Sequence, residues 1–170
     1  MSELEFYAKA ALRGEVLGVE LGAGPEAWEE RVGSDFLDDV KKSLMRRDYG
    51  LVEVTFAKTE GSWVSVAVSL QIHRLSYGLN EMVPPPIEFA HGAFSTHVRI
   101  HEFRRELEMQ GGTLCEIADA SRPNFVHYQE PNIGSSVYVV DQLAHTSLKA
   151  GDIWSIAFSV GTEVAANKIK

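Results

Sequence analysis

Apolar and polar residues alternate most regularly over residues 51–56 and 63–73. This period of two predicts a pair of strands. In the second run Val64, Val66, Val68, Leu70 and Ile72 fall on one face, and Trp63, Ser65, Ala67, Ser69, Gln71 and His73 on the other. Lys58-Thr59-Glu60-Gly61 between the runs predicts an antiparallel hairpin, with one apolar sheet face covered and one polar face open. Upstream, residues 15–21 read as a short strand ended by Gly22-Ala23-Gly24. A helix should open at Pro25, with Glu26, Glu29 and Glu30 towards its positive end, Trp28 and Val32 on one edge and Gly33 as its stop. The charged residues 35–48 carry no assigned element.

Pro84-Pro85-Pro86 cannot donate ladder hydrogen bonds and predict an extended connection over residues 84–90 between halves 1–83 and 91–170 of one compact domain. The second half has a helix at 103–109 closed by Gly111-Gly112, then strands at 134–141 and 152–160. The order helix, strand, strand thus recurs. Ser65-Val66-Ala67-Val68-Ser69 and Ser155-Ile156-Ala157-Phe158-Ser159 match in type at an offset of 90, which also carries Gly61 onto Gly151. The expected class is α+β, with helices on one face of a mainly antiparallel sheet and possible tandem αββ repeats.

The chain has 170 residues, 45 % hydrophobic and 24 % charged, which excludes a largely disordered chain. Its net charge of −8 disfavours nucleic acid as partner and suits either a basic protein or simple solubility. Cys115 is the one cysteine, so neither an intramolecular disulfide nor a thiolate zinc cluster can form, and a reducing cytoplasm is expected. The acidic start Met1-Ser2-Glu3-Leu4-Glu5 does not resemble a secretory signal, and no run approaches the roughly 20 apolar residues of a membrane span.

Motifs for chemistry are sparse: there is no phosphate loop and no nucleophile elbow. Cys115 could act with His97 or His127 as base, but a lone cysteine more often fills a core. His97 and His101 have the i,i+4 spacing of a helical zinc pair, with His91 nearby, yet the alternation over residues 95–101 favours a strand with both imidazoles in solvent. No metal, cofactor or catalytic residue is therefore expected. Six carboxylates, Glu26, Glu29, Glu30, Asp35, Asp38 and Asp39, crowd residues 26–39 and could steer a basic partner. By strand parity Trp154 joins Ile156 and Phe158 in the core, whereas Trp63 is exposed or packed at an edge.

Residues 24–30, 33–36, 46–56 and 71–75, including Arg46-Arg47-Asp48-Tyr49-Gly50-Leu51-Val52-Glu53, resemble small actinobacterial proteins associated with immunity to polymorphic or contact-dependent toxins. The resemblance spans about residues 14–75. The order of helix and meander is also similar to the tandem repeats of beta-lactamase-inhibitor-like proteins, which block an enzyme with an open sheet surface. These likenesses imply a cytoplasmic, non-enzymatic protein that occludes a cognate toxin domain one to one. Glu53, Trp63, Gln71, His73 and Tyr138 are its candidate contacts, with Asp35, Asp38 and Asp39 contributing charge. The alternative is a small ligand-binding or enzymatic α+β domain around His97, His101 and Cys115.

Overall fold

A computed structural model describes residues 1–78, 81–143 and 146–161. The fold is α+β. Helix α1 (Glu3–Arg13) opens with a capping box between Ser2 and Glu5 and buries Phe6, Tyr7, Ala8, Ala10 and Ala11. Residues 15–21 form a small hairpin, β1 (Glu15–Val16) and β2 (Val19–Glu20), rather than the expected single strand. The chain reverses at Leu17 and Gly18, both with positive φ. Helix α2 (Pro25–Val32) keeps its expected bounds, with Pro25 in the first turn and Trp28 and Val32 buried.

The charged residues 35–48 prove to be two strands, β3 (Leu37–Lys41) and β4 (Leu44–Asp48). They continue antiparallel into β5 (Val52–Thr59) and β6 (Ser62–Leu70). Glu60 and Gly61 join the last two strands in a two-residue turn with positive φ at both positions, which suits the right-handed strand twist and favours glycine. A 3-10 helix (Ile72–Tyr77) takes the place of the end of the expected second strand.

Pro84, Pro85 and Pro86 do not form an extended linker. Pro84 caps helix α3 (Pro85–His91), and the other two occupy its first turn, where the absent N–H groups would have no intrahelical acceptor. Helix α4 (Ile100–Met109) follows, then β7 (Cys115–Ile117), β8 (Phe125–Gln129), β9 (Ser136–Val140) and β10 (Ile153–Ser159). Each half therefore runs helix, helix and a four-stranded meander, with β1–β2 inserted in the first.

The two meanders join into one eight-stranded antiparallel sheet, β3-β4-β5-β6-β10-β9-β8-β7, closed at its centre by β6 and β10. Val68 and Phe158, separated by the offset of 90, are register partners there. A twofold relation between the halves requires this of the residues on its axis. Contacts of α1 with α4 and of α2 with α3 exchange under the same operation. Trp28 and Val32 of α2, like Phe103 and Leu107 of α4, join Phe56, Val68, Ile156 and Phe158 in the core on one side of the sheet.

Two bulges overturn the uninterrupted parity read from sequence. The register of β5 and β6 shifts between Thr55 and Phe56. Ser65 is consequently 0 % exposed and Trp63 packs against the core, so neither lies on the open face. The register of β9 and β10 shifts between Ile153 and Ser155, which releases Trp154 from the apolar phase of Ile156 and Phe158.

Candidate functional site

The open face of the sheet is the candidate site. Its floor is built from small side chains because the central strands place Ala67, Ser69, Ala157 and Ser159 on the side opposite the core. Thr55 and Ser136 extend that floor, and Glu53, Arg122 and Tyr138 rise around it to enclose a shallow groove of about 250 Å³. Both halves contribute, and the groove straddles the β6–β10 junction.

On the first-half wall Arg74 links two carboxylates, 2.7 Å from Asp48 and 3.1 Å from Glu53, and donates to the Gly50 carbonyl at 2.8 Å. Gly50 is required here by its φ of 93° and because a Cβ would lie 2.5 Å from the Met82 carbonyl oxygen. On the second-half wall the Arg122 guanidinium sits 4.3 Å above the Tyr138 ring, and His127 stacks on the same ring at 4.5 Å. His73 lies parallel to Trp154 at 3.9 Å, and Phe125 meets Trp154 edge-on at 5.4 Å. Burial pushes the His73 pKa down, with the Arg74 charge acting in the same direction and its hydrogen bond to the Trp154 carbonyl opposing both.

The structure brings Glu53, Tyr138, His73 and Gln71 to this face or its border, Gln71 through a 3.2 Å hydrogen bond to Ser69. Trp63 is not among them. Asp38 belongs to the covered side, where Arg47 binds both its oxygens at 2.8 and 2.9 Å and also donates to the Pro25 carbonyl. The same guanidinium lies 3.6 Å over Phe36, so Asp38 holds a packing element in place and is not a free charge. Asp39 stands on edge strand β3 opposite Arg46, 3.4 Å from Lys41. Asp35 is exposed in a separate hollow beside Leu37, Tyr49 and Met82.

The histidine and cysteine readings also change. Residues 95–99 are not a strand; His97 precedes α4 and lies 3.1 Å from Asp152, whereas His101 is exposed in the first turn. Burial alone would raise the Asp152 pKa, but the Lys149 amide, Arg99 and His97 all donate to its carboxylate and hold it below the ordinary range. Cys115 is exposed on edge strand β7, opposite Gln129. His127 instead places Nε2 2.9 Å from Ser136 Oγ, with Nδ1 3.5 Å from Asp119 Oδ2. The Ser121 hydroxyl and amide, aided by the positive charge of Arg122, hold the Asp119 carboxyl below its usual pKa despite some desolvation.

Arg74, Asp119, Arg122, Ser136 and Trp154 were not candidates from sequence. One signal was present: Phe125, His127 and Gln129 alternate with Val126 and Tyr128, which assigns the histidine to a polar strand face. No family model, curated protein or solved structure matches the chain. Its reading therefore rests on its own geometry. Among the described residues no helix is long and apolar enough to cross a membrane.

Proposed function

We propose that this protein is a binding protein of the immunity type, which occludes a cognate toxin domain by covering it with the open sheet face. The observation that carries the reading is that the eight-stranded sheet has helices and core on one side only, while the other side holds a groove lined from both halves. A rigid, hydrogen-bonded surface can meet a partner without much ordering cost. The stacked pairs His73–Trp154 and His127–Tyr138 supply the aromatic groups that dominate protein interfaces. Arg122 on one wall and the Asp48–Arg74–Glu53 cluster on the other give the groove opposite charge at its two sides, which favours a partner loop carrying both an acidic and a basic residue.

The test is to co-produce the chain with the toxin domain encoded beside it and to measure growth, stoichiometry and affinity. Protection through a tight one-to-one complex that Ala157→Arg abolishes is the expected outcome. Absence of a complex, or protection when toxin is in large molar excess, would overturn occlusion.

A further inference from the structure

The contacts Asp119–His127–Ser136 have the order of a nucleophilic triad and line up towards the groove. Asp119 Oδ1 accepts from the Ser121 amide at 3.0 Å and from the Ser121 hydroxyl, which leaves Oδ2 directed to His127 Nδ1 at 3.5 Å. A carboxylate on that side selects the tautomer protonated at Nδ1, so the Nε2 lone pair faces the Ser136 hydroxyl at 2.9 Å. The imidazole side chain is 12 % exposed and lies against Tyr138, which fixes its orientation. Ser136 and Arg122 both line the groove.

We propose that Ser136 is a nucleophile, with His127 as its general base and Asp119 as the positioning carboxylate, acting on small carboxylic esters held in the groove. Ser136 Oγ attacks the ester carbonyl carbon while its proton passes to His127 Nε2. Arg122 provides the positive charge for the oxyanion that forms. The carbon–oxygen bond to the leaving alcohol then breaks, and His127 returns the proton to that alcohol. Water, deprotonated by the same nitrogen, cleaves the acyl-Ser136 ester to release the acid and restore the hydroxyl. A groove of about 250 Å³ suits a short acyl chain against Ala67 and Ala157, with the alcohol outward in solvent. An ester is the fitting class because an alkoxide leaves with less protonation than an amine. This activity goes beyond partner binding and needs no partner to be detected.

The intact protein is treated with an alkyl fluorophosphonate, in which Ser136 Oγ bonds to phosphorus and fluoride leaves, and the adduct is mapped by mass spectrometry. One adduct at Ser136 is expected, absent in Ser136→Ala and formed at least tenfold more slowly in His127→Gln and Asp119→Asn. The wild type should also hydrolyse 4-nitrophenyl acetate in a serine-dependent way. Asp119 lies in a loop, so its variant tests the triad even if the His127 change disturbs the strand. No adduct at Ser136, or equal rates in a folded Asp119→Asn variant, would overturn the proposal. Labelling and ester hydrolysis are read on the protein alone, with no toxin domain present, so the triad and the occlusion reading fail separately.

Discussion

At the scale of single residues, burial decides which charges are structural and which are free to act. Asp152 is nearly fully buried yet ionised, because three donors compensate its desolvation. Its folded pKa lies below that of the unfolded chain, about 3.9. Its contribution to stability is therefore complete above that value and is lost as pH falls through the folded pKa. Asp152→Asn should lower unfolding free energy by about 2 kcal/mol near neutral pH, as expected for lost charge-assisted hydrogen bonds, and should flatten the acid side of the stability profile. Urea denaturation across pH 2–7 measures both. His73 has the same slope for the opposite chemical reason: its pKa is depressed because burial favours the neutral ring, so protonation between about pH 6.5 and its lower folded value weakens the fold. Asp38→Asn should act on stability through Arg47, whereas Asp35→Asn should leave stability unchanged.

At the scale of elements, the two bulges determine what each strand presents. Ser65 and Ser69 stand four positions apart, and unbroken alternation would give them one face. The bulge instead buries Ser65, whose amide donates to the Ala23 carbonyl, and leaves Ser69 in the groove. Ser65→Asp should then cost about 3 kcal/mol or more by forcing a carboxylate into the core side, while Ser69→Asp should fold with little loss. Thermal melts of the two variants give the comparison, and equal losses would contradict the register. The helix from Pro25 was legible because proline, first-turn acids, an i,i+4 apolar pair and a terminal glycine all agree locally. β3 and β4 were not, because their polar residues are satisfied by cross-strand pairs such as Asp38–Arg47 and Asp39–Arg46 that no local pattern displays.

At the scale of the whole molecule, joining two meanders through β6 and β10 turns two half-surfaces into one continuous face. Neither half alone contains both walls of the groove. For the occlusion reading this predicts that Tyr138→Ala and Arg122→Glu each weaken the toxin complex by about 1–4 kcal/mol without lowering the melting temperature appreciably. Trp63→Ala should do the reverse, because that ring packs against the core. Titration calorimetry beside thermal unfolding separates the two effects. Removing the exposed Asp35 and Asp39 charges should slow association and flatten its salt dependence more than it speeds dissociation.

Local periodicity and turn chemistry made the α+β class, the strands β5, β6, β9 and β10, helices α2 and α4, and the recurrence at an offset of 90 legible before folding. The sequence also brought Glu53, Gln71, His73 and Tyr138 forward as candidates. The folded chain was needed to show that Trp63 leaves the open face, that Asp38 is not a free charge but is held by Arg47, that Trp154 joins the open face, and that Asp119, His127 and Ser136 meet. A bulge moves every later side chain by one phase without any marker in composition, and a loop residue reaches a strand residue only once the meander has closed.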